Sequence, residues 1–591
     1  MKKSMIISLI GMLLLLLCGS ACAEELPQTS LEMTRRMGNG INLGNTMEAC
    51  DNSNHGGYIT DDTVHYETLW GQPVTTAEMV RGMKAAGFDT LRIPVAWMTN
   101  ATHLNKGDYT ISPAYLQRIR EIVDYALEAD MFVIVNDHWD GGWWGMFGSD
   151  TEATRQLAME AYTGMWKQIG ETFAEYDSRL IFESANEELG ARFDENSALY
   201  CQDSIDNKLP EDERYALTNR VNQAFVDTIR GLGGNNAERF LLIAGFGTDI
   251  AKTFDSRFVM PKDTAESRLM VSVHYYSPTT YCLAPDAASA TPWGKQKDYA
   301  DMYATLSMMK RFTAAGYGVV IGEYGALSGS DGIMKENAPA YHKAFLDCCD
   351  ALDMTGCLWD TGGFYDRKAC AVTQKEIAEL YAGRNAASEA GKDPETIAAA
   401  AKEAFDAAAA AAPETFGTRT VSADSCVAWI MFNSGDYGVT YSVGDVYTPD
   451  SMTPGVVPTD VEITGAGTYT VSLDFTGTGA GHANNVAFSA LGISNGEDLF
   501  PGYCILITDL RINGESVKLK GRNYTCADDG HCTRSNLYNE WVDIKGAREG
   551  ARVLMGDLTG ISATILDTSA DIMKEIRTME ITFRYEPRKG K

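Results

Sequence analysis

From about Met33 to Tyr381, short apolar runs alternate with longer stretches whose apolar residues recur every three or four positions. The short runs read as buried parallel strands and the longer stretches as amphipathic helices that cover them. Eight runs qualify: Gly40 to Leu43, Thr90 to Pro94, Phe132 to Asn136, Leu180 to Glu183, Phe240 to Ala244, Leu269 to His274, Val319 to Gly322 and Cys357 to Trp359. Helix starts are legible between them: Thr75 with Glu78 has the form of a capping box, and Ser112 with Pro113 that of an N-cap followed by proline. Eight strand and helix units over roughly 350 residues point to an α/β fold, a closed (β/α)8 TIM barrel, with an open doubly wound sheet as the rival. Gly38, Gly40 and Gly44 lack the spacing of a dinucleotide-binding turn, which weighs against the rival.

After Tyr381 the pattern changes. Residues 385–414 are dominated by alanine, so they favour helix while offering little to bury, and read as a helical spacer ended by Pro413. From Gly417 onward the period is two, as in TYTVSLDF (468–475) and in CILITDLRI (504–512), which is followed by the turn pair Asn513-Gly514. That is an all-β sandwich. The expected division is a leader at 1–23, the barrel at 24–385, the spacer at 386–416 and the sandwich at 417–588.

The leader carries Lys2 and Lys3, an apolar core from Met5 to Leu17, and small residues at Ala21 and Ala23, the form of a secretory signal peptide. Lipid anchoring through Cys22 is the alternative, but Gly19 stands where an aliphatic residue is expected. No other stretch has the ~20 apolar residues that span a bilayer, so the expectation is a secreted, extracellular protein with no membrane span. A net charge of −30 argues against nucleic acid, whose phosphates demand Lys and Arg. Of 13 cysteines, two lie in the leader, leaving an odd number that cannot all pair within one chain. Adjacent Cys348 and Cys349 read as a buried helix face. CADDGHC (526–532) has a metal-site look but lacks further ligands at zinc spacing, so a loop disulfide or free thiols is the better reading.

Seven of the eight expected strands end in polar or aromatic residues: Asn45, Arg92, His138, Asn186 with Glu187, His274 with Tyr276, Glu323, and Trp359. Taken singly each has an ordinary role, Arg92 as an ion-pair partner, His138 or His274 as a core histidine, Trp359 as packing. Together they require a shared polar cavity at the carboxyl ends of the strands, where barrel active sites sit. Two glutamates ending strands are the minimum for cleaving a glycosidic bond, one protonated to donate to the leaving oxygen and one ionised to attack the anomeric carbon. Arg92 and Tyr276 suit the second role to Glu323. A drier setting and an ionised neighbour would keep Glu187 protonated. Asn186 would reach the sugar 2-hydroxyl and Trp359 would support the sugar face, while His138 and His274 position the carboxylates.

The segments GINLGNTME, LRIPVAW, VIVNDHWDGGWW, FESANEE, VHYYSP, IGEYG and LWDTGG, in order across residues 33 to 365, resemble glycoside hydrolase family five, most closely its endoglucanase and xyloglucanase branch. The resemblance implies a retaining mechanism with Glu187 as acid/base and Glu323 as nucleophile, supported by Arg92, His138, Asn186, His274 and Tyr276. It also brings Trp359 into the active site, and Trp293 resembles a subsite tryptophan of that branch; Asn45 and Trp139 are read from their strand-end and loop positions as further substrate contacts, with loop packing the equal alternative for Trp139. Two departures stand out: Trp139 follows His138 where the family usually has a second histidine, and Glu188 follows the Asn-Glu pair where it usually has proline. Trp97, Trp143 and Trp144 are open between cleft and packing.

The expectation is thus a secreted retaining endo-β-1,4-glucanase with no cofactor and no metal, a monomer acting on β-1,4-glucan such as cellulose, mixed-linkage glucan or xyloglucan. The alternatives are a xyloglucan- or mannan-specific enzyme of the same fold, or a non-catalytic polysaccharide-binding protein. The sandwich reads as a carbohydrate-binding module; Trp429, Tyr437, Tyr441, Tyr447, Tyr503, Tyr538 and Trp541 are either its platform or its core. Serine-hydrolase elbows, HExxH and P-loop patterns do not occur.

Overall fold

In the computed structural model the eight runs are parallel strands closed into one barrel in sequence order: β1 (Asn39–Asn42), β2 (Thr90–Ile93), β3 (Phe132–Val135), β4 (Leu180–Glu183), β5 (Leu241–Ala244), β6 (Leu269–Tyr275), β7 (Gly318–Tyr324) and β8 (Thr355–Leu358). The structure describes residues 26–51, 59–195, 200, 209–285, 287, 290–326, 333–389, 392–413, 424–434, 440–443, 449–452, 455–478, 480–519, 526–528, 532–539 and 566–588. The expected leader, Tyr437, Tyr447 and Trp541 lie outside them, as does the side chain of Tyr441. β1 closes the ring by pairing Gly40 with Cys357 of β8.

Because side chains alternate along a strand, each strand divides its residues between two cores. Leu91, Val133, Phe182, Ile243, Val271 and Ile321 face the surrounding helices. Ile134, Ile181, Leu242, Met270, Val320 and Cys357 fill the barrel interior, and Met33 and Met37 of the helix Ser30–Arg36 join this inner cluster. The interior is thus a packed plug, which leaves the carboxyl-end layer for polar groups.

Some local expectations shift. The helix Ala77–Ala85 is capped by Thr76, whose hydroxyl accepts from Met79 N–H at 3.2 Å, one residue later than the expected Thr75. Thr75 instead gives its N–H to Glu67 at 2.6 Å. Ser112 does precede Pro113 at a helix start, but its hydroxyl donates to Asp61 rather than capping. The alanine-rich stretch is a helix over Pro394–Ala411, yet not a free spacer. Phe405 is 3 % exposed and meets the rings of Tyr299 and Tyr303, with Ala408, Ala409 and Ala412 beside it in the barrel's outer cluster. Small side chains let this helix approach closely, and one aromatic anchors it.

Beyond it stand two antiparallel sheets. One runs in the order Pro449–Met452, Thr440–Val443, Val427–Asn433, Phe488–Ser494, Cys532–Asn539, Cys526–Asp528, with Val461–Glu462 also paired to Val427–Asn433; the other runs Val457–Thr459, Gly467–Asp474, Thr578–Pro587, Tyr503–Ile512, Glu515–Ser516. Trp429, Leu491, Val471, Ile507 and Phe583 from both sheets share one core. The Asn513-Gly514 turn is as read: both residues take positive φ, 52° and 80°, which the two-residue hairpin requires and glycine supplies without strain. Trp429 is 1 % exposed and bonds Ser494 at 3.0 Å, so it is core and not a binding platform. Cys348 and Cys349 are buried in the helix Ala338–Ala351, and Cys532 is buried as well. Residues 529–531 of CADDGHC lie outside the described residues.

Candidate active site

At the carboxyl end of the barrel one buried guanidinium joins four strands. Arg92 of β2 is wholly buried and donates Nε to Glu183 at 2.8 Å, Nη1 to Asn42 at 2.9 Å and to Glu323 at 3.0 Å, and Nη2 to Asn186 at 2.8 Å. A buried cation demands this degree of compensation. Glu183 ends β4 and is itself fully enclosed, accepting from Ser272 at 2.6 Å and Asn136 at 3.0 Å. Asn42, Asn136, Glu183 and Ser272 were not singled out from the sequence, although a carboxylate inside an apolar strand is itself a signal. Removing the charge with Glu183→Gln leaves Arg92 less compensated and should destabilise the fold by about 3 kcal/mol, read as a lower urea midpoint, with kcat falling alongside it.

Glu323 reaches the mouth through a fault in its strand. In β7, Val320 faces inward and Ile321 outward, so regular alternation would aim Gly322 inward and Glu323 at the helices. The register shifts on both flanks, however, and Glu323 rather than Gly322 pairs with His274 of β6. Such bulges re-aim side chains beside active sites. Gly322 makes the fault possible, since a Cβ there would sit 2.9 Å from Ser272 Oγ and 3.1 Å from His274 Nε2. Glu323 then accepts from Arg92 on Oε1 and from Tyr276 on Oε2 at 3.1 Å, so donors meet both oxygens, as suits an attacking carboxylate. Burial and the Glu323 charge push the Tyr276 phenol well up, which keeps it a donor.

Glu187 follows β4 on the opposite side of the gap, and its side chain is 39 % exposed. His274 Nδ1 lies 2.9 Å from its Oε1 and 3.7 Å from Glu323. Single ligand-competent atoms of Glu187, His274 and Glu323 all fall within 4.8 Å of one another. This is the one trio among the described residues close enough to share a metal ion, but Arg92 already places a cation against Glu323. The electrostatics of Glu187 differ from expectation. Burial pushes its carboxyl up, yet the hydrogen bond and charge of His274 outweigh this and hold it below the usual range. Burial pushes His274 down, and the charge of Glu323 with the Glu187 hydrogen bond more than reverses this. In the free protein the pair's proton therefore favours His274, one hydrogen bond from Glu187. Because the His274 pKa is raised, that proton is held below it and lost as pH climbs through it. The basic limb of kcat/KM should thus lie above pH ~6.5 and move to lower pH in His274→Gln, a shift that pH-rate profiles would measure.

His138 follows β3; burial first and the Arg92 charge second push it well below its ordinary value, so it stays neutral, 3.9 Å from Glu323. Its ring stacks on Trp359 at 5.7 Å with a 12° tilt. Trp139 is half-buried with φ 49°, and its N–H goes to Glu188 at 2.6 Å. Glu188 also accepts from Asn186 N–H at 2.7 Å, and burial pushes its carboxyl up to about 7. The glutamate that departs from the resembled family thus ties the β3 and β4 loops together. Asn45 lies past β1 with φ 57° and a half-buried side chain, its N–H on Glu48. Trp293, expected at a subsite, is instead buried among Tyr281, Tyr299 and Tyr341, because the segment after β6 turns its ring towards the helices. Trp97, Trp143 and Trp144 are likewise core.

The family model "Cellulase (glycosyl hydrolase family 5)" matches residues 51–364, just over half of the chain. Endoglucanase A of Paenibacillus barcinonensis is 32 % identical over 393 residues, covering 61 % of this chain and 90 % of that protein. A xyloglucan-specific endo-β-1,4-glucanase of Bacteroides ovatus is 34 % identical over 307 residues, covering 50 % of this chain, which spans 57 % of that relative's length. A solved broad-specificity endoglucanase from Ruminococcus champanellensis with bound cellotriose superposes with a TM-score of 0.51 at 28 % identity, covering 61 % of this chain and all of that one. With the closed barrel and two glutamates across one gap, the chain belongs to glycosyl hydrolase family 5.

Proposed function

We propose that the protein is an exported endo-β-1,4-glucanase that hydrolyses internal bonds of plant cell-wall glucans with retention of configuration. The observation that carries this is the approach of Glu187 and Glu323 within 4.8 Å, atom to atom, with unlike partners on each. Retaining enzymes place their carboxyl groups about 5–5.5 Å apart, whereas inverting enzymes need ~6.5–9.5 Å to admit a water. Glu323 attacks the anomeric carbon as the bond to the leaving oxygen breaks, and the proton held by the Glu187 and His274 pair passes through Glu187 to that oxygen. Glu187, now ionised, takes a proton from water, which attacks the same carbon and expels the Glu323 carboxylate. Arg92 and Tyr276 hold the nucleophile, and no further group is required for the proton balance.

The relatives named above are endoglucanases, one of them solved with cellotriose bound, and the xyloglucan-specific endo-β-1,4-glucanase of Bacteroides makes xyloglucan the leading alternative substrate. Export rests on the leader, with Lys2, Lys3 and the apolar run to Leu17. The C-terminal sheets would hold the enzyme on insoluble polymer and raise its local concentration there. Release of reducing ends from a soluble cellulose derivative, lichenan, xyloglucan and mannan, compared side by side, separates the substrates. Proton NMR of the first product tests the mechanism. β-Anomer appearing first is expected; α-anomer first, or no release from any β-1,4-glucan, would overturn the proposal.

A further inference from the structure

Six of the nine described tryptophans, Trp97, Trp143, Trp144, Trp166, Trp293 and Trp429, are at most 1 % exposed. The other three, Trp70, Trp139 and Trp359, are not, and they lie together. Trp359 stacks on His138; the next residue, Trp139, faces Trp70 with centroids 6.1 Å apart and a 39° tilt. Gln72 Nε2 donates to the Thr361 carbonyl at 2.8 Å, which ties the Trp70 turn to the loop that carries Trp359. Trp70 remains 39 % exposed on a turn where Leu69 and Val74 are also open. A tryptophan kept only for packing would hide its ring, as six others here do. Glu188, by accepting the Trp139 N–H, secures a backbone conformation that side-chain-bearing residues seldom adopt.

We infer that Trp70 and Trp139 form a subsite that takes the apolar face of a neutral glucosyl unit of the bound chain. The assignment rests on the proposed glucanase activity and deepens it. An aromatic path runs from Trp359 and His138 to Trp139 and Trp70. Uncharged, planar rings suit the C–H faces of pyranose and need no charge partner.

The test compares wild type, Trp70→Ala, Trp139→Ala and Trp70→Phe on cello-oligosaccharides of three to six units, with circular dichroism to verify folding. The gain in kcat/KM on lengthening the substrate should fall about ten-fold in Trp70→Ala and be largely kept in Trp70→Phe. An unchanged gain in folded Trp70→Ala would overturn the subsite, whatever Trp139→Ala does. Calorimetric binding of cellohexaose to Glu323→Gln, with and without Trp70→Ala, separates the two claims. Binding weakened by Trp70→Ala, together with a wild type that cleaves no β-1,4-glucan, would reject the activity and retain the subsite, and binding unaffected by Trp70→Ala would reject the subsite.

Discussion

Glu323→Gln should lower kcat on β-1,4-glucan by on the order of 10⁵-fold or more, as removal of a covalent nucleophile does in enzymes whose catalytic groups act as a unit. That is about 7 kcal/mol of transition-state stabilisation. The amide keeps the volume and one acceptor, so Arg92 Nη1 retains a partner while Tyr276 faces an NH₂ group in place of a carboxylate oxygen. The fold should persist with a modestly lower melting temperature, and polymer binding should survive, because the aromatic side chains at the barrel mouth are untouched. In Glu323→Ala the vacated space should let azide attack the anomeric carbon directly, in a single displacement that gives an α-glycosyl azide. Hydrolysis within a hundred-fold of wild type, or a β-azide from this variant, would assign the nucleophile elsewhere.

Glu187→Ala should separate the two halves of the reaction. Substrates with poor leaving groups need the proton, and their turnover should fall by roughly 10²–10⁴-fold, the usual contribution of general acid catalysis. Aryl cellobiosides with acidic phenols leave unaided. With them the first step should stay fast and the glycosyl-enzyme should accumulate, since no base remains to activate water. Mass spectrometry should then find the adduct on Glu323, and azide, which needs no deprotonation, should restore turnover as a β-glycosyl azide. The opposite anomers from the two alanine variants follow from the two carboxylates standing on opposite sides of one sugar, and identical anomers would break that picture. His274, hydrogen-bonded to Glu187 at 2.9 Å, loses that acceptor in the variant, so the basic limb described above should vanish for these substrates.

The barrel was legible because its signal is local. Apolar runs such as Leu180–Glu183 are strands wherever they stand, and their buried, parallel character follows from having no polar face. The candidate pair was legible for the same reason, since a glutamate or arginine at the end of a buried strand has few stable settings other than a shared polar mouth. Local capping was read one residue out at Thr75, because Thr76 has the same chemistry and only tertiary contact with Glu67 decides between them.

What the linear pattern could not supply was direction and company. Strict alternation in Val319–Glu323 would aim Glu323 outward; the bulge at Gly322 that turns it inward exists only because β6 and β8 flank it with shifted register. Trp293 and Trp139 look alike as loop tryptophans, yet one is enclosed by three tyrosines and the other lies beside Trp70 from a distant turn. The state of Glu187 likewise depends on His274, which adjoins it only in space. The sequence by itself determined the barrel, its order and the candidate glutamates at its mouth, because periodicity and burial act on neighbouring residues. Tertiary structure alone decided where each side chain points and which proton it holds, because those depend on atoms that the chain brings together only by closing on itself.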